Sequence, residues 1–168
     1  MQSKRLNIAV DRLRELLDYC PETGVFRWKV KRSRSAQAHS IAGTVNEQGY
    51  ILITVDRSIH RAHRLAWVYI HGSAPCGDID HINGIRSDNR ICNLRDVSHT
   101  VNLQNRKGAT VSSKSGILGV RKHRACDKWE ARIKVAGKQR YLGLYETAEE
   151  AREAYLSAKR QFHAGNTL

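Results

Sequence analysis

Apolar residues return at roughly helical spacing near the start of the chain. Ile8, Leu13, Leu16, Leu17 and Tyr19 predict a short opening helix over residues 7–19. Pro21-Glu22-Thr23-Gly24 then signals a turn, and residues 25–30 (VFRWKV) predict a strand. The stretch 31–40, KRSRSAQAHS, is basic and poor in large apolar groups, so it reads as a loop and a candidate phosphate contact. A β-meander follows: 41–45, a turn at Asn46–Gly49, 50–55, and a second polar turn at Asp56-Arg57-Ser58. Residues 61–71 predict a helix with Leu65, Ala66, Tyr69 and Ile70 as its apolar stripe, ended by Gly72, Pro75 and Gly77.

The pattern stops at 107–116, KGATVSSKSG, which is small, polar and aperiodic like a linker. It restarts with three predicted strands at 118–123, 128–135 and 138–145, the last two joined by a tight Ala136-Gly137 hairpin. Along the middle strand Trp129, Ala131, Ile133 and Val135 alternate with Lys128, Glu130, Arg132 and Lys134, giving an apolar face and a basic face. Thr147 with Glu150 makes a capping box. Ala148, Ala151, Tyr155, Ala158 and Phe162 then mark one face of a helix that can cover the apolar side of the sheet. The expected fold class is α+β with no internal repeat. It divides into a domain at 1–107, a linker at 108–115 and a second domain at 116–168.

Charge adds a partner to this outline. The net charge of +13 is spread along the chain, +7 through Lys107 and +6 beyond it, so both parts are built to lie against a polyanion. Nucleic acid is the commonest such partner. Cys20, Cys76, Cys92 and Cys126 include no CxxC pair, so no zinc site is expected, and the thiols are expected to be reduced. The opening MQSKRLNIAVDRLREL is polar and amphipathic rather than a secretory leader, and no apolar run is long enough to span a bilayer. No membrane partner and a cytoplasmic location are expected.

The candidate chemistry lies in residues 78–106, DIDHINGIRSDNRICNLRDVSHTVNLQNR. Asp80 is a hard oxygen donor suited to Mg²⁺ or Mn²⁺. In an extended segment His81 faces the opposite side, so one residue can hold metal while its neighbour faces a water. Asn83-Gly84 marks a turn, and 97–106 is compatible with a helix capped by Ser98 that would bring Asn102 back toward Asp80. The spacing of Asp78, Asp80 and Gly84 does not match a calcium-binding EF-hand loop, and no Glu closes it.

The run DH, a central Asn followed by Leu, then Asn in a closing helix, resembles the HNH motif of small phage-type homing endonucleases. The resemblance implies a ββα-metal core with one divalent cation, Mg²⁺ or Mn²⁺, held by Asp80 and Asn102. It makes His81 the general base and Asn93 the residue that fixes the loop and supports the histidine's orientation. Asn stands where the family name has its final His, a recognised variant among phage-type members. The implied setting is the cytoplasm of a bacterial or phage-infected cell. His63 and His99 are secondary candidates for phosphate contact, with a surface or packing role as the alternative. Asn105, one turn after Asn102, could reach the site or simply lie on the helix surface. His60, His71 and Trp67 carry no signal alone.

Gly119-Val120-Arg121, the run 128–134 (KWEARIK), Tyr141-Leu142-Gly143 and the 147–155 segment resemble the AP2 DNA-binding domain over residues 116–165. That resemblance implies a three-stranded antiparallel sheet set into the major groove of double-stranded DNA, with one helix packed behind. It makes Arg121, Lys122, Arg124, Arg132, Lys134 and Tyr141 the expected DNA contacts. Arg132 replaces an acidic residue and Tyr141 a tryptophan of the plant-type pattern, so base preference does not carry over. The expected function is a metal-dependent endonuclease that nicks or cuts DNA at a recognised site. The sequence leaves its oligomeric state open, as monomer or homodimer. The competing class is a non-catalytic DNA-binding regulator with a decayed core, against which the intact Asp80, His81, Asn93 and Asn102 set argues. An RNA-binding module would need an exposed aromatic platform that the sequence lacks.

Overall fold

The computed structural model describes residues 8–34, 36–110 and 112–167. Asn7 of the predicted opening helix, Ser35 of the basic loop, Val111 of the predicted linker and Leu168 therefore lie outside the described residues. The chain is mixed α+β and forms two compact units, Met1–His99 and Thr100–Leu168.

In the first unit, helix α1 spans Val10–Leu16 and strand β1 spans Leu17–Cys20, so the predicted helix runs three residues too far at its C-terminal end and also begins too early. Leu16 and Leu17 are both buried. From Leu17 onward a two-residue period turns Leu17 and Tyr19 inward and Asp18 outward. Strand β1 pairs antiparallel with β2 (Val25–Trp28), with Tyr19 opposite Phe26.

The meander is β3 (Thr44–Val45), β4 (Ile51–Val55) and β5 (Ser58–Arg61), in that spatial order. Strand β5 was not expected, because the hairpin before it lacks the usual glycine. Asp56 and Arg57 both take positive φ, 44° and 64°. The Asp56 carboxylate accepts from Arg12 Nε at 3.0 Å and from Arg32 Nη1 at 3.2 Å, which anchors the turn. Arg32 of the basic loop is thus tied to this turn. Hydrogen bonds from Arg12, reinforced by those from Arg32, hold the Asp56 carboxyl below the ordinary carboxylate range.

Helix α2 (Ala62–His71) buries Ala62, His63, Leu65, Ala66 and Val68, and it ends on Gly72 in the left-handed conformation. Its buried face is turned from the expected stripe, since Val68 is inside and Ile70 outside. Leu13, Leu17, Phe26, Ile53, Leu65, Ile79 and Leu94 join in one core. Burying each large side chain of this kind contributes about 1.5–3 kcal/mol. This core carries a two-stranded hairpin, β6 (Asp78–His81) with β7 (Leu94–Val97), entered through a 3₁₀ turn at Ile91–Asn93. Helix α3 follows at His99–Gln104, shorter at both ends than predicted.

The second unit has strands β8 (Val120–Lys122), β9 (Trp129–Val135) and β10 (Lys138–Tyr145), antiparallel with β9 central. Ala136-Gly137 forms the β9–β10 hairpin, both residues at positive φ. Helix α4 (Ala148–Phe162) starts at Thr147 with both bonds of the capping box in place. Its Ala151, Tyr155 and Ala158 pack on Val120, Ala131 and Ile133. Gly119 is required here: at φ +76° a Cβ would stand 2.0 Å from the Tyr155 ring. Residues 100–107 join this unit, with Gln104 Oε1 accepting from Gly165 N at 3.1 Å and Arg106 O from Lys159 Nζ at 2.6 Å.

Candidate active site and sheet surface

The β6–β7 hairpin carries the site. Its register sets Asp80 opposite Arg95 and His81 opposite Leu94. Asp80 and His81 are both buried. Arg95 Nε and Nη2 converge on one oxygen of Asp80, Oδ2, at 2.9 and 2.7 Å. The entry to β6 is fixed by Asp96, whose two oxygens accept from the Cys76 and Gly77 amides at 2.7 Å each.

His81 Nε2 lies 3.2 Å from Asn89 Oδ1. An amide oxygen only accepts, so Nε2 carries the proton and Nδ1 is the acceptor nitrogen. Asn89 is itself immobilised. It is 1% exposed, its backbone carbonyl accepts from Tyr19 Oη at 2.7 Å, and its amide donates to Ser87 O at 3.3 Å. The β1–β2 turn presses against it as well: a Cβ on Gly24 (φ +72°) would come within 2.4–2.5 Å of the Asn89–Arg90 backbone.

Asn93 works on the loop between the strands. Its Oδ1 accepts from the Asn83 amide at 3.0 Å, and its Nδ2 donates to Asn83 Oδ1 at 3.1 Å and to Asp88 O at 2.8 Å. Asp88 in turn pairs with Arg90 at 2.7 Å, and hydrogen bonds from Arg90 hold its carboxyl down at about 2. The side-chain bond to His81 therefore comes from Asn89, while Asn93 shapes the loop that presents Asn89. Sequence reasoning missed Asn89 because Asp88-Asn89 reads as ordinary turn chemistry. No signal in the residue types separates it from the other turn residues of that loop.

His63 of α2 sits edge-on to His81, with ring centroids 4.9 Å apart and planes at 82°. Tyr50 flanks both imidazoles, at 5.3 Å from His63 and 6.2 Å from His81. Arg61 and Arg86 lie over the Tyr50 ring at 4.6 and 5.0 Å. Burial first, and then the nearby His81, Arg61 and Arg64, push His63 down to about 2, so it is neutral at physiological pH. Burial also lowers His81, against the opposing pull of the Asn89 hydrogen bond. A neutral imidazole with one fixed tautomer can accept a proton.

His99 Nδ1 is 2.7 Å from Asp78 Oδ2, so its contact is with the start of β6. Asn102 lies on α3, in the second unit. Asn105 is buried in that unit and its Oδ1 accepts from Thr167. Among the described residues no three His, Cys, Asp or Glu side chains converge as a metal-binding group. The expected pair, one carboxylate and one amide oxygen, is a donor set of the kind hard divalent cations accept.

On the three-stranded sheet Lys122 pairs with Asp127 and lies 5.0 Å from the Trp129 ring centroid. Arg124 is exposed in the β8–β9 connection, and Lys134 and Tyr141 are exposed on β9 and β10. Arg121 and Arg132 both pair with Glu130. Glu130 therefore points to the face expected to be basic, yet it is buried and paired with two guanidiniums. Burial would raise its carboxyl, but the two arginine hydrogen bonds outweigh burial and hold it low.

Residues 60–104 match the family model described as HNH endonuclease. The span runs from β5 through α3 and holds Asp80, His81, Asn89, Asn93 and Asn102. The match supports a nuclease of the HNH family with DNA as its substrate. No curated protein and no solved structure matches the chain. Among the described residues no helix is long and apolar enough to cross a membrane.

Proposed function

We propose that the chain is a metal-dependent endonuclease that hydrolyses a phosphodiester bond of double-stranded DNA, with His81 as general base. The observation that carries this reading is the buried Asp80-His81 pair on the β6–β7 hairpin, with His81 Nε2 held 3.2 Å from Asn89 Oδ1. His81 Nδ1 takes the proton of the attacking water. Asn89 keeps the ring in the tautomer that allows this, and Asn93 holds the loop carrying Asn89. Asp80 is assigned as an oxygen ligand of one Mg²⁺ or Mn²⁺ ion. When bound, the cation supplies Lewis-acid stabilisation of the phosphate and the departing oxygen. Arg61 and Arg86 add positive charge beside Tyr50, where a phosphate backbone would be drawn in.

The C-terminal sheet is assigned as an AP2-like surface for the major groove, using Arg121, Lys122, Arg124, Arg132, Lys134 and Tyr141. A homing-type enzyme, whose target is chosen mainly by surfaces outside the hairpin, fits this division. Supercoiled plasmid incubated with Mg²⁺ or Mn²⁺ should yield nicked or linear product, and none with EDTA. His81→Ala should bind DNA with undiminished affinity while cleavage falls by about 10²–10⁴-fold. Metal-independent cleavage, or a fully active His81→Ala, would overturn the assignment. No cleavage on any duplex, with DNA binding intact, would leave a binding regulator as the function.

A further inference from the structure

On the β8–β9 pair, Arg121 and Glu130 are directly opposite each other, and Arg132 follows two residues along the same face of β9. One carboxylate serves both arginines. Arg121 Nε donates to Glu130 Oε2 at 2.7 Å, and Arg132 Nε donates to the other oxygen, Oε1. The carboxylate is 2% exposed, whereas the guanidinium-bearing side chains are 57% and 36% exposed. Glu130 is thus sunk in the sheet while the two cations bonded to it stay more open to solvent.

The choice of nitrogen is informative. A guanidinium held through Nε keeps its outer edge, the parallel Nη1 and Nη2 pair, pointing away from the carboxylate. That outer edge is the fork that bonds the O6 and N7 of guanine in the major groove. A buried negative charge on a surface meant for a polyanion weakens non-specific attraction, so its benefit must be of another kind. Holding two long side chains in fixed poses removes their rotamer entropy before binding, which costs about 0.5–1.5 kcal/mol per side chain when it is lost on binding.

We propose that Glu130 is a specificity-determining positioning residue that pre-orients Arg121 and Arg132 as a pair of guanine-reading forks. The proposal rests on the reading of this sheet as the DNA-binding face. Its ligand is a duplex with two guanines presented in the major groove. Glu130 touches no DNA and acts through the arginines.

The test uses the full chain in EDTA, so that binding is measured without cutting. A random-sequence duplex library is selected for binding, and the enriched duplex then competes with versions carrying single base-pair changes. Glu130→Gln keeps the shape but replaces one of the two accepting oxygens with an NH₂ donor, and Glu130→Asp keeps the charge but falls a methylene short. Each is expected to lose about tenfold of the discrimination at guanine positions, one lost contact of about 1.4 kcal/mol, while affinity for unselected DNA is unchanged or higher. A Glu130 variant that folds, by circular dichroism, and selects like the wild type overturns the proposal. If neither variant folds, Arg121→Lys decides: it keeps the charge but has no Nε to anchor, and unchanged discrimination overturns the proposal. Arg121→Ala with Arg132→Ala separates the underlying reading. If that double variant binds and selects normally, the sheet is not the reading face. If it loses selection while the Glu130 variants keep theirs, only the pre-orientation fails.

Discussion

The β6–β7 hairpin and the β8–β9–β10 sheet both pair arginine with a carboxylate across antiparallel strands and both bury the carboxylate more deeply than its partner, but they differ in what surrounds the pair. In the hairpin everything reactive is inside: Asp80, His81 and Asn89 are buried, and Arg95 closes onto one carboxylate oxygen. In the sheet the carboxylate alone is inside, and its two arginines face outward. A proton-accepting imidazole benefits from a dry, fixed setting that keeps it neutral. Donors that read a groove must reach solvent. On the proposed reading, an ion pair across a strand ladder serves chemistry where the anion lies among buried reactive groups and recognition where its arginines stand more open to solvent.

The largest test of that contrast is Asp80→Asn. If Asp80 is the anionic metal ligand proposed, its loss is expected to remove several kcal/mol of charge stabilisation, so plasmid cleavage should fall by about 10²-fold or more. Binding to unselected duplex, read by gel shift, should survive. Equal losses of both would mean that the hairpin and the sheet are not separable in function.

Asn89→Ala comes next. Removing one buried hydrogen bond costs about 1–3 kcal/mol, so the maximal rate should drop by roughly tenfold or more. Because the Asn89 bond raises His81 against burial, its loss lowers the imidazole further. The acid limb of the pH–rate profile should therefore move to lower pH even as the plateau falls. A plateau loss with an unmoved limb would reduce Asn89 to a packing role.

On the sheet, Lys134→Ala should weaken all duplexes alike and lower the slope of log affinity against log salt by about one. A change in base preference instead would make Lys134 a reader.

The smallest effect concerns His63. Its folded value of about 2 is far below the ordinary histidine value, so below that ordinary value the unfolded chain binds a proton that the folded chain does not. Stability is fully present above the unfolded value and is lost as pH falls. The wild-type melting temperature should drop between pH 7 and pH 5, and His63→Phe should flatten part of that drop. His60 and His81, also lowered by burial, should account for the remainder.

The sequence made the hairpin legible because an adjacent Asp and His on an extended segment define both chemistry and geometry at once. The second unit was equally open, since period-two alternation, Ala136-Gly137 and Thr147–Glu150 are local signals that tertiary structure did not override. What stayed hidden had local signals pointing elsewhere. Leu13, Leu16 and Leu17 keep helical spacing into what is strand β1, and the Asp56-Arg57 turn lacks the glycine that would advertise β5. Glu130 alternates like a solvent-facing residue, and only the three-dimensional convergence of Arg121 and Arg132 reveals why it is buried. Asn89 is indistinguishable by composition from the turn residues around it.

The close approach of Gly24 to the Asn89–Arg90 backbone carries a genetic consequence. Any side chain at position 24 must displace the segment that holds His81, although Gly24 and Asn89 are 65 residues apart in sequence. A screen for inactive variants would therefore return changes at Gly24 together with changes at the site itself, and a map of tolerated substitutions would show one intolerant patch assembled from two distant stretches of the gene.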